Sequence, residues 1–120
     1  MKMKFFDLAR KISKKSTHPY HKIGGVIVNK SKVVSLGFNK YKTHAKSNHP
    51  FQHIHCELDC ILGVEEGSLK DCTIYLYREN KSGDVAMSKP CVWCNKLLRD
   101  VGIKRVYYTD YGSYKEEVLL

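Results

Sequence analysis

The sequence predicts an α/β protein, a mixed β-sheet with helices packed on it. Three observations carry that prediction. The apolar positions change period along the chain in the order helix, strand, strand, helix, strand, helix, strand. The first two strands flank a short run of turn residues and form an antiparallel hairpin, whereas the later strands are reached through helices. The length of 120 residues, 42% apolar and 28% charged, suits one folded domain.

The elements follow in chain order. Over residues 3–15, Phe5, Leu8, Ala9 and Ile12 fall at i, i+3, i+4 and i+7 with lysines between, the pattern of an amphipathic helix. Ile23–Val28 and Val33–Phe38 are β-branched runs around Asn29-Lys30-Ser31-Lys32, which reads as the hairpin. The polar, His-rich stretch 40–53 reads as a loop. A helix is expected from Ile54 to Gly63 with Leu58, Ile61 and Leu62 inward, and a buried strand over Thr73–Tyr77. After a loop over 79–89, Pro90 opens a helix at Cys91–Val101, with Val92, Leu97, Leu98 and Val101 as its apolar stripe. Gly102 ends it, Ile103–Thr109 returns to strand, and Ser113–Leu120 is expected to add a turn or two of helix.

Charge is divided unevenly. Residues 1–50 hold twelve Lys or Arg against the single acid Asp7, and the remaining seventy hold nine against eleven. Such a block faces a polyanion or a nucleotide phosphate, or else is the solvated surface of a lysine-rich chain. No run of 18 apolar residues crosses a membrane, and the charge-interrupted start is unlike a signal peptide, so the expected location is the cytoplasm. Five cysteines in such a chain read as metal ligands and small buried side chains rather than disulfides.

Chemistry concentrates in His55-Cys56-Glu57 and Pro90-Cys91-Val92-Trp93-Cys94, each at the start of an expected helix. His55, Cys91 and Cys94 make the three-ligand set of a catalytic zinc, one ion per chain, with the fourth position left to water. Helix N-termini favour thiolates at Cys91 and Cys94. Glu57, two residues from a ligand, is placed to move protons beside a water whose pKa zinc lowers to ~7. C-x-x-C alone is equally a redox motif, so the combination decides.

H-x-E followed by P-C-x-x-C resembles the zinc-dependent cytidine and deoxycytidylate deaminase superfamily over about residues 3–110. Gly24-Gly25-Val26, Gly37-Phe38-Asn39 and Gly102-Ile103-Lys104-Arg105-Val106-Tyr107 extend the likeness, which is nearest to small virus-encoded deoxycytidylate deaminases. The resemblance implies a three-layer cytidine deaminase-like fold over a single domain 1–120, its C-terminal part shortened, with the fifth strand and last helix reduced or missing. It implies zinc-dependent conversion of dCMP to dUMP, with hydroxide attacking C4 of cytosine and Glu57 as proton shuttle. It also implies Asn39 against sugar or base, the main-chain carbonyls of Ser88 and Lys89 against the exocyclic amine, and a homo-oligomer.

His53, Trp93 and Tyr108 are further candidates to line the pocket, and His44 and His49 read as loop residues. Cys56 stands where the family usually has Ala and reads as packed, as do Cys60 and Cys72. Two other functions remain open from sequence: deamination of cytosine or adenine in single-stranded DNA or RNA, and a non-catalytic zinc-stabilised module that binds nucleic acid.

Overall fold

The computed structural model of the chain describes residues 1–18, 21–40, 54–65 and 67–119. Its elements are α1 (Met3–Ser13), β1 (Lys22–Asn29), β2 (Lys32–Phe38), α2 (Cys56–Leu62), β3 (Thr73–Glu79), α3 (Val92–Asp100), β4 (Arg105–Asp110) and β5 (Ser113–Val118). One sheet holds the strands in the order β2-β1-β3-β4-β5. β3 and β4 pair in parallel through α3, and the other three pairs are antiparallel. The sheet is therefore mixed, as expected.

Period-two alternation gives the sheet two buried faces. Val26, Val28, Tyr75, Tyr77 and Tyr107 meet Phe5, Phe6 and Ala9 of α1 on one side. Ile27, Ile74, Leu76 and Val106 meet Cys56 and Cys60 of α2 and Leu98 of α3 on the other. Helix, sheet and helices make three layers. Adjacent glycines on β1 admit both outer layers: a Cβ on Gly24 would collide with the Ala9 carbonyl and the Ser13 backbone, and one on Gly25 would lie 2.8 Å from the Cys56 sulfur. Neither helix can lie this close over a larger residue.

Three expectations are corrected. The tail is strand β5 rather than a helical turn, so the fifth strand is formed. Tyr111-Gly112 is a two-residue turn between Asp110 and Ser113, with Gly112 at φ 87°, and this hairpin lets the tail take the open edge of β4. Tyr114 then packs on Phe6 at 4.5 Å between ring centroids, and Leu119 joins the opposite core. On α2, Leu58 is buried and Ile61 packs half-buried against the core as expected, but Cys56, Glu57 and Cys60 also face inward and Leu62 is only half-buried. On α3, Leu98 and Val101 pack on the core as expected, whereas Val92 is 89% exposed and Cys94 is buried in its place. The C-x-x-C turn sets that helix's rotation, because Cys94 must face inward.

Candidate active site

Two helix N-termini bring the sequence-distant ligand candidates together. His55 is the N-cap of α2 and Cys91 the N-cap of α3, whose sulfur accepts the Cys94 N–H at 3.5 Å. His55 Nδ1 lies 3.3 Å from Cys94 Sγ and 4.0 Å from Cys91 Sγ, and the three ligand atoms fall within 4.8 Å of one another. A tetrahedral zinc with Zn–S ~2.3 Å and Zn–N ~2.0–2.1 Å holds its nitrogen and sulfur atoms about 3.6 Å apart. The donor set and spacing fit one zinc ion.

Electrostatics agree with that fit. Burial, with the Glu57 charge second, pushes the Cys94 thiol above the ordinary cysteine range, so a thiolate there needs a cation against it. Glu57 is itself 5% exposed, and burial pushes its carboxyl up while hydrogen bonds from Cys94 and the backbone oppose the rise. Cys56 points away from this cluster: its Sγ donates to the Gly37 carbonyl at 3.4 Å within the core. Cys60 and Cys72 are buried as expected.

A cavity of about 250 Å³ opens beside the cluster. His55, Glu57, Cys91, Asn39, Ser88 and Lys89 line it, so these sequence-predicted residues converge. Asn39 is almost fully engaged: Oδ1 accepts from Ile23 N–H at 3.0 Å and from the Ser16 hydroxyl, and Nδ2 donates to the His21 carbonyl at 2.6 Å. What remains toward a ligand is the second N–H of Nδ2. The Ser88 hydroxyl is likewise internal, donating to Leu76 O at 2.9 Å and accepting from Thr109 N–H at 2.7 Å, which anchors the loop that carries its main chain to the cavity. The Lys89 ammonium lies 3.6 Å from Glu117 of β5.

Other candidates lie elsewhere. Trp93 is 38% exposed at the start of α3, and Tyr108 packs on the α2 and α3 side of the sheet; the structure brings neither to the cavity lining. His44, His49 and His53 lie outside the described residues.

His18, His21, Arg78 and Met87 also line the cavity, with Ile23 and Cys56, and no local motif marks these four. Among the described residues, the Lys and Arg side chains lining the cavity are Arg78 and Lys89, both from the later part of the chain. Arg10, Lys14 and Lys40 pair instead with Glu79 and Asp59 on the outside of the fold.

Residues 1–110 match the family described as the cytidine and deoxycytidylate deaminase zinc-binding region. A probable deoxycytidylate deaminase of Caenorhabditis elegans is 26% identical over 89% of this chain and 56% of its own length, so the chain spans little more than half of that relative. Among solved structures, a cytidine deaminase from Burkholderia pseudomallei superposes with a TM-score of 0.70 at 16% identity, covering 99% of this chain and 93% of the other. A dCMP deaminase from cyanophage S-TIM5, in complex with dCMP and dUMP, gives 0.62 at 18% identity, covering 88% and 81%.

Proposed function

The chain belongs to the cytidine and deoxycytidylate deaminase family, and from that premise we propose that it hydrolyses the exocyclic amine of cytosine in a nucleotide, converting dCMP to dUMP. The observation that carries the reading is the buried Glu57 lining one cavity with His55 and Cys91. When held by His55, Cys91 and Cys94, zinc supplies a water of lowered pKa as nucleophile. Glu57 takes one proton from the attacking water at its carboxylate and delivers it to ring N3, then takes the remaining proton from the hydroxyl added at C4 and passes it to the amine nitrogen, which leaves as ammonia as the carbonyl forms. The carbonyls of Ser88 and Lys89 accept from that amine and orient the ring, while Asn39 donates its remaining N–H to the sugar.

The position of Lys89 favours a second reading. Lys89 also borders a shallower groove along α3 with Lys96 and Arg99, a path suited to the backbone of a single-stranded nucleic acid. Exposed Val92 and Trp93 beside the cluster give an apolar surface on which a homo-oligomer would pack. No helix among the described residues is long and apolar enough to cross a membrane.

One panel tests the assignment. The zinc-loaded protein is incubated with dCMP, deoxycytidine, dCTP and cytosine- or adenine-containing oligonucleotides, and products are read by mass spectrometry for the +1 Da change of amine to carbonyl. Conversion of dCMP, abolished by a chelator and restored by zinc, is the expected result. Conversion of oligonucleotides alone establishes the second reading, and no conversion with zinc bound overturns both.

A further inference from the structure

We propose that Arg78, held by His21, reads the phosphate of the substrate and selects nucleotides over nucleosides. This inference rests on the deaminase reading above and adds the recognition of the part of the substrate remote from the reacting carbon. Arg78 lies near the C-terminal end of β3, opposite Ile23 of β1, and that register brings His21 beside it in the cavity wall.

The guanidinium has neutral partners. Nη1 donates to the Met87 carbonyl at 3.1 Å, Nη2 lies 2.6 Å from His21 Nδ1, and the buried Nε has no acceptor among the described residues. The other three arginines differ. Arg10 meets Glu79 at 3.9 Å, Arg99 meets Glu117 at 3.9 Å, and Arg105 meets Glu116 at 3.7 Å from its own Nε. Among the described residues, Arg78 is the arginine without a carboxylate, and it is the one that lines the cavity. The Glu57 carboxyl in that cavity is engaged with Cys94. A partly desolvated cation facing a cavity without a counter-charge favours an anionic ligand, and a guanidinium fits a phosphate through two parallel donors.

His21 completes the arrangement. Its Nδ1 accepts from Arg78, which leaves Nε2–H as the ring's donor toward a ligand oxygen. His18 fixes it: the His21 backbone N–H donates to His18 Nδ1 at 3.0 Å, and the two rings stack at 5.3 Å. A phosphate oxygen would thus meet one charged and one neutral donor held in place before binding. A nucleoside, with a neutral hydroxyl there, leaves the guanidinium without its counter-charge.

The test compares dCMP with deoxycytidine for the wild type, Arg78→Gln and His21→Gln, each at one zinc per chain. The wild type is expected to prefer dCMP. Arg78→Gln is expected to raise KM for dCMP by about 10- to 150-fold, the span of a lost charge-assisted hydrogen bond, with kcat and deoxycytidine turnover little changed. His21→Gln is expected to shift KM in the same sense by less, and it carries the test if Arg78→Gln fails to hold zinc. Equal wild-type turnover of both substrates, or equal losses on both in the zinc-replete variants, overturns the proposal. A wild type inert toward every cytosine substrate overturns the deaminase reading instead.

Discussion

The two faces of the sheet are built from different materials and do different work. The α1 face is an aromatic cluster: Phe5, Phe6, Tyr75 and Tyr107 pack ring against ring at 4.8–5.2 Å, and the Tyr75 hydroxyl accepts the Lys2 N–H. It carries none of the cavity residues. The α2 and α3 face is aliphatic and thiol-rich, with Cys56 and Cys60 against the glycines of β1 and β2. Small residues let α2 approach the sheet closely, so its N-terminus and that of α3 meet at one cluster. Bulk stabilises one face; close approach organises the other.

Three substitutions probe that division, and the largest effect is expected on the thiol face. Glu57→Gln keeps shape and zinc but loses the proton carrier, so kcat should fall ~10²–10⁴-fold with the melting temperature and zinc content near wild type. Full activity in this variant would sink the mechanism. On the aromatic face, Phe6→Ala removes a ring that is 1% exposed and should cost about 3–5 kcal/mol of stability in chemical denaturation, with kcat per folded molecule retained. A loss of kcat at full folding would show that the two faces are coupled.

The smallest effect is a pH dependence within the α1 face. Burial, then the hydrogen bond to Glu79, raises the Tyr77 hydroxyl to about 12. The unfolded tyrosine ionises near ~10, so the folded state holds its proton more tightly. The associated stability is complete below pH ~10 and is lost as pH rises through about 12. Denaturation midpoints across that window should therefore fall more steeply for the wild type than for Tyr77→Phe. Parallel curves would remove Tyr77 from the account, and the Glu57 and zinc chemistry of the other face would be untouched.

How far the site can be read from sequence depends on how local each part is. His55 and Glu57 lie two residues apart, Cys91 and Cys94 three, and each pair starts a helix; spacing and helix geometry were enough to nominate them. Arg78 and His21 are 57 residues apart, and their contact depends on the β1–β3 register. No periodicity announces it. The charge count has the same limit: it does not say which side of a helix or strand faces the cavity, and among the described residues the Lys and Arg that line it are Arg78 and Lys89. The tail misled by pattern, although Tyr111-Gly112 carried a usable hairpin signal.

By itself, then, the sequence determined the element order through apolar period, the mixed sheet through its hairpin and crossovers, and the metal-ligand set through donor chemistry at short spacing. Only the tertiary structure decided which cations reach the cavity, how Asn39 and Ser88 are committed to internal hydrogen bonds, and that the tail closes the sheet as β5. The physical reason is range. Propensity and spacing act over a few residues, whereas register, close approach and burial act between segments the chain brings together only when it folds.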